Sequence, residues 1–186
     1  DPTFSYEVAV ILQDGLRRMV QEQEDVFYYL TLLNENYEHP ALPEGAEQDI
    51  LKGMYLLKKG PAGNGPRVQL LGSGAILRES MAAAELLKKD WGVESDIWSC
   101  PSFNELARDG QAAARWNLLH PTDKKQRVAY VTEQLDKHAG PVIASTDYMK
   151  NYAEQIRAFI PKGRTYKVLG TDGFGRSDFR SELRKH

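Results

Sequence analysis

"VQLLGSGAILRESMAAAELLKKDWGVESDIWSCPSFNELARDG" (Val68–Gly110) decides the fold of this chain. It opens on a short apolar run, Val68–Leu71, that reads as a buried strand and breaks at a glycine turn. A helix follows, with Leu77, Met81, Ala84 and either Leu87 or Trp91 on one face. Ile97 and Trp98 mark a second strand, which Pro101 stops. Ser102 followed by Glu105 is a capping-box pair that starts a second helix, and Pro121 ends it. Strand, helix, strand and helix in this order form a βαβ unit, so the chain carries an α/β domain.

Downstream the same alternation continues. "VAYVTEQLDKH" reads as a helix and "PVIAST" (Pro141–Thr146) as a strand. "DYMKNYAEQIRAFI" reads as a helix on Met149, Tyr152, Ala153, Ile156 and Ile160. "YKVLG" is a further strand, and "TDGFGRSD" is a glycine-rich turn into a last helix. Upstream, "GPAGNGPR" (Gly60–Arg67) packs three glycines and two prolines into eight residues and reads as a linker. Ahead of it, Asp1–Lys59 reads as the end of a separate unit, so the chain is expected to be a piece of something larger. Its first helix has apolar residues at Val8, Ile11, Leu12, Leu16 and Met19, with Thr3 or Ser5 as the cap. Gly15 inside that helix costs about 1 kcal/mol relative to alanine and points to close packing. "VFYYLTLL" (Val26–Leu33) is aromatic and β-branched enough for a buried strand. After the loop "NENYEHPALPEG", "EGAEQDILKG" reads as a short helix and "MYLLKKG" as a short strand.

Bulk properties narrow the function classes. The 186 residues carry 24 basic and 26 acidic side chains, interspersed, for a net charge of −2. That balance gives neither a nucleic-acid footprint nor a basic membrane-binding stripe. Cys100 is the single cysteine, which excludes a disulfide framework and a thiolate cluster and fits a reducing, cytoplasmic setting. The apolar runs are too short to span a membrane.

The motifs are individually weak. "GSGAIL" after a strand offers backbone N–H groups at a helix start, as in dinucleotide folds, but Leu77 replaces the third glycine. A turn serving the fold is the favoured reading, and a free-standing doubly wound domain binding a nucleotide or regulator through Gly72–Gly74 is the alternative. His39, His120, His138 and His186 show no metal-ligand spacing. "LNENYEHP" gathers Asn34, Glu35, Asn36, Tyr37 and His39 just beyond a strand's carboxyl end, where α/β sheets place ligand-facing groups. Such a loop fixes a substrate or ties two units together, and the sequence leaves both open. "GTDGFGRSD" holds Asp172, Arg176, Ser177 and Asp178 without a P-loop lysine, which favours a turn or interface over ligand binding.

Taken in order, "YEVAVILQDGLRRM", "YYLTLLNENYEHPALPEGAE", "VQLLGSGAILRE", "SFNELARDG", "ASTDYMKNYAEQIR" and "VLGTDGFGRSD" closely resemble the homodimeric bacterial pyruvate dehydrogenase decarboxylating component. This is a transketolase-like family, and the resemblance covers nearly the whole chain. It implies that residues 1–59 are the end of a pyrimidine-binding α/β domain and 60–67 the linker. Residues 68–186 would be a transketolase-like C-terminal α/β domain with a mostly parallel sheet, truncated at its end. The implied activity of the full-length protein is decarboxylation of pyruvate on thiamine diphosphate, then reductive acetylation of a lipoyl group on the dihydrolipoyl acetyltransferase component. Magnesium and thiamine diphosphate would be held mostly by residues outside this chain, since no "GDG" occurs in it. This part would serve mainly structure and assembly of the homodimer and be inactive alone. Another 2-oxo acid or a ketose is the near alternative as substrate.

Within the resemblance, "VILQDG" places Gln13 where some family members carry a histidine facing the cofactor-bound intermediate. Glutamine hydrogen-bonds but takes no proton near neutral pH. Gln13 is therefore a polar wall of the site or an ordinary helix-surface residue. With Asn34, Glu35 and His39 it completes the set of substrate- or cofactor-facing candidates; no metal ligand is named.

Overall fold

The structure, a computed structural model, describes residues 1–33, 35–175 and 177–183. Five strands form one sheet: β1 (Tyr55–Lys58), β2 (Arg67–Gly72), β3 (Glu94–Ser99), β4 (Val142–Met149) and β5 (Tyr166–Thr171). Their spatial order is β1-β3-β2-β4-β5. The β3-β2-β4-β5 pairings are parallel and only β1 runs antiparallel, on the edge beside β3. The mostly parallel α/β sheet expected from the βαβ pattern is thus present. Its edge strand comes from ahead of the Gly60–Arg67 segment.

Alternation along the strands supplies both faces with apolar cover, as a sheet buried on two sides requires. Val68, Leu70 and Ile97 face α3 (Ile76–Trp91) through Leu77 and Ala84. Leu71, Trp98, Val142, Ala144 and Val168 face the opposite layer. That layer is built from α4 (Phe103–Leu119), α5 (Tyr130–Leu135) and α6 (Asn151–Glu154), with Phe103, Leu106, Val131, Leu135, Ala153 and Ile156 fully or almost fully buried. Each such large side chain contributes about 1.5–3 kcal/mol of transfer free energy. Leu87 packs on the core while Trp91, one turn later, is 76% exposed, which settles the choice left open between them. Gly92 then ends α3 in the left-handed conformation, φ 64°. Ser102 caps α4 by accepting the Glu105 N–H at 3.1 Å, while the Glu105 carboxylate turns to Arg108 instead of closing the box.

The front segment contains α1 (Ser5–Leu16), continued by a π-helical turn over Arg17–Gln21, and α2 (Glu47–Leu51). Gly15 lies against the Tyr28 ring, where an added Cβ would stand 3.3 Å from it. This is the close packing its position predicts.

Three expectations need correction. Val26–Leu33 is not a buried strand: Tyr28 and Leu30 pack inward against the Ile11 cluster, but Phe27 and Tyr29 are 86% and 83% exposed. It lies outside the sheet, and no described strand pairs with it to complete a ladder. The helix predicted to carry Met149 begins later, because β4 continues past a register shift to pair Met149 with Thr171. Only Asn151–Glu154 and a 3₁₀ turn at Arg157–Phe159 are helical, yet Ala153 and Ile156 still reach the core. Neither Thr3 nor Ser5 caps α1; Phe4 occupies that position and Glu7 satisfies the backbone.

Candidate functional site

The loop after the extended segment lies across the starts of α1 and α3. Glu35, Tyr37 and His39, at alternate positions of this loop, all reach the starts of α1 and α3. The Glu35 carboxylate meets the Arg78 guanidinium at 3.1 Å. That guanidinium sits 4.5 Å over the Tyr37 ring. The Tyr37 ring in turn stacks on the His39 imidazole, centroids 4.7 Å apart. The Tyr37 hydroxyl donates to the Thr3 carbonyl, and the Ser5 backbone N–H donates to His39 Nδ1 at 3.0 Å. One continuous stack therefore runs from an acid through a cation and a phenol to an exposed imidazole.

Behind the stack lies Glu7, in the first turn of α1 and completely buried. Its Oε2 accepts the N–H of Phe4, the residue that begins the helix, at 3.0 Å and that of Thr3 just ahead of it at 2.5 Å. Its Oε1 accepts the Tyr55 hydroxyl at 2.7 Å and the Ser99 hydroxyl at 2.5 Å. Four donors converge on this carboxylate, as a buried charge requires. The Tyr55 proton being given to Glu7, the Tyr6 hydroxyl donates to the Tyr55 oxygen at 2.6 Å. Burial, with Glu7's charge adding to it, pushes the Tyr6 phenol up to about 12. Burial and the same carboxylate hold Tyr55 and Cys100 protonated too.

The structure brings Glu35 and His39 together and leaves Gln13 apart. Gln13 lies eight residues beyond Ser5 on α1, about 12 Å along the axis. It lines an open groove of about 480 Å³ with Leu16, Arg17, Gln48 and Leu51. Asn34 lies outside the described residues. Arg78 and Glu7 were missed by sequence reasoning. Glu7 had a signal, an acid at the third position of a helix start, which is where capping carboxylates stand. Arg78 had none.

The glycine turn after β2 is taken up by the chain itself. The Gly74 N–H donates to the Asp1 carbonyl at 3.0 Å, and the Thr3 hydroxyl donates to the Gly74 carbonyl at 2.8 Å. Leu77 is fully buried where the dinucleotide fingerprint needs a glycine. The nucleotide-binding alternative gains no support from this geometry. Among the described residues, no three His, Cys, Asp or Glu side chains are grouped to hold a metal ion. In the glycine-rich segment after β5, Asp172 pairs with Lys150 at 2.5 Å; Arg176 lies outside the described residues.

A family model for the transketolase-like C-terminal domain matches residues 53–186. The chain belongs to the transketolase-like C-terminal domain family. A second model, the middle domain of the pyruvate dehydrogenase E1 component, matches residues 1–40. The pyruvate dehydrogenase E1 component of Cupriavidus necator is 66% identical over 185 residues, covering 99% of this chain and 20% of that protein. The E1 component of Pseudomonas aeruginosa is 60% identical over 184 residues, covering 99% and 21%. This transketolase-like chain spans about one fifth of the length of those relatives. The resemblance carried by "LNENY", "ELARDG" and "GTDGFGRSD" is borne out by them. A crystal structure of the Pichia stipitis transketolase aligns with a TM-score of 0.46 and 15% identity, over 79% of this chain and 17% of that one. No helix among the described residues is long and apolar enough to cross a membrane.

Proposed function

We propose that this chain is the C-terminal part of a thiamine-diphosphate-dependent pyruvate dehydrogenase decarboxylating component. The observation that carries this reading is 66% identity to an E1 component along 99% of the chain. On this reading the full-length polypeptide decarboxylates pyruvate and passes the acetyl unit to a lipoyl group of its acetyltransferase partner. It would do so in the cytoplasm, as a homodimer with magnesium. The cofactor supplies the electron sink for decarboxylation when bound.

The work of this chain's own residues is positional. The α1 segment is tied to the sheet through Glu7, and the Glu35–His39 loop is laid over that junction as a polar wall for substrate and cofactor. Gln13 belongs to a second, separate groove of mixed lining, with Val10, Leu16 and Leu51 beside it. The pairing of β1 with β3 and the family match from residue 53 support starting the C-terminal domain near Gly53, with residues 60–66 as a loop inside it that leads into β2.

The test is an assay of the natural full-length polypeptide with thiamine diphosphate and magnesium. Pyruvate-dependent acetylation of a lipoyl acceptor is expected. The isolated chain should show neither this activity nor a tight calorimetric signal with thiamine diphosphate and magnesium. A full-length protein inert toward pyruvate would sink the reading.

A further inference from the structure

We propose that the Ser5 backbone N–H sets the tautomer and orientation of His39, with Glu7 as the positioning residue that fixes this N–H against the C-terminal sheet. The inference rests on the functional reading above. An imidazole nitrogen that accepts a hydrogen bond carries no proton, so Nδ1 facing the Ser5 N–H places the neutral ring's proton on Nε2.

Ser5 is the first residue of α1, and its N–H is one of the donors a helix start cannot use internally. The two preceding N–H groups, of Thr3 and Phe4, are consumed by Glu7 Oε2. Glu7 Oε1 is anchored to Tyr55 on β1 and Ser99 on β3. The donor facing His39 is thereby referenced to the sheet and not to a loose chain end.

The ring is also held in its plane. Tyr37 stacks on it at 4.7 Å and is itself pinned by its bond to the Thr3 carbonyl and by Arg78 on α3. Rotating the imidazole by 180° would put a carbon against the Ser5 N–H. Nε2 makes no hydrogen bond among the described residues, and His39 is exposed. The arrangement leaves an oriented Nε2–H for an acceptor oxygen, as a 2-oxo acid carboxylate or carbonyl provides.

Proline at position 5 provides a selective test in the full-length holoenzyme. The first helical position accepts proline, and Phe4 already has the extended backbone, φ −108° and ψ 151°, that a following proline needs. Ser5→Pro therefore deletes the N–H while keeping the helix. It should lower kcat/KM for pyruvate by roughly ten-fold, the worth of one aligned hydrogen bond, with Tm little changed. The conservative variant Ser5→Ala, which retains the N–H, should restore activity. His39→Ala should lose at least as much as Ser5→Pro, and Glu7→Gln should move the same parameter in the same direction. If Ser5→Pro behaves as Ser5→Ala while His39→Ala is impaired, the positioning inference is overturned and the functional reading stands. Full activity in His39→Ala would remove His39 from the site and overturn the inference equally. A wild-type holoenzyme inert toward pyruvate would instead overturn the functional reading beneath it.

Discussion

The Ser99 hydroxyl at the end of β3 donates to the Glu7 carboxylate on α1 at 2.5 Å, across ninety-two residues of sequence. The same carboxylate takes the Tyr55 hydroxyl and two backbone N–H groups, so three separate parts of the chain depend on one side chain. Removing it leaves several buried donors without an acceptor. Glu7→Ala should destabilise the protein by about 3–5 kcal/mol, and Glu7→Gln by less, since the amide keeps one acceptor oxygen. Urea unfolding followed by circular dichroism measures both. A loss under about 1 kcal/mol for the alanine variant would show that water replaces the carboxylate, contrary to its burial.

A second buried carboxylate organises the opposite, amino-terminal end of the parallel strands. Asp96 accepts from Arg67 at 2.6 Å, from the Gly60 N–H at 2.8 Å and from Gln69 at 2.9 Å, and meets His138 Nδ1 at 3.0 Å. Burial works to raise its pKa, but the bonds from Gln69, His138 and Gly60 and the Arg67 charge prevail and lower it below 3.8. The folded value is therefore depressed relative to the unfolded chain. Its stabilisation is present above about pH 4 and is lost as pH falls through the folded value. Asp96→Asn should lower stability at pH 7 and flatten the acid limb of a Tm-against-pH curve. An unchanged acid limb in the variant would contradict this assignment.

Cys100, just beyond β3, is fully buried, and burial together with the nearby Glu7 charge pushes its thiol up. The thiolate is the reactive form, so both access and ionisation oppose labelling. A disulfide-exchange reagent should label Cys100 at the rate of unfolding and reach one thiol per chain only in denaturant. Stoichiometric labelling of the folded protein within minutes would falsify the packing around β3.

What the sequence disclosed was periodic, and what it concealed was long-range. The β2–α3–β3–α4 unit was legible because Leu77, Met81, Ala84 and Leu87 repeat at helical spacing beside strand-length apolar runs. The loop of Glu35 and His39 was legible as a polar cluster after an extended run. Its meaning depended on Arg78, a residue of ordinary appearance in α3 that no local pattern singles out. Gln69 stands inside the apolar run of β2, but its partner Asp96 lies 27 residues on, and Asp96's own partner His138 a further 42. The aromatic and β-branched run Val26–Leu33 has strand chemistry, yet a ladder needs a neighbour, and pairing is not encoded in one strand alone.

Gly140 links these networks and gives the sharpest steric prediction. It precedes β4 with φ +94°, and a Cβ built there would stand 1.9 Å from the Arg67 carbonyl oxygen. Alanine would pay both for a conformation L-residues avoid and for a forced backbone shift, at least about 2 kcal/mol together. The shift would not stay local. The neighbouring Ala139 carbonyl accepts from the Gln69 side chain at 2.8 Å, and the Pro141 carbonyl accepts from the Gln69 N–H at 2.9 Å. Gln69 is the same residue that donates to Asp96 and accepts from Trp98 Nε1. Gly140→Ala and Asp96→Asn should therefore be non-additive, the double variant losing less than the sum by more than about 0.5 kcal/mol. A double-mutant cycle by urea unfolding decides it, and strict additivity would mean that Gln69 does not connect the two positions.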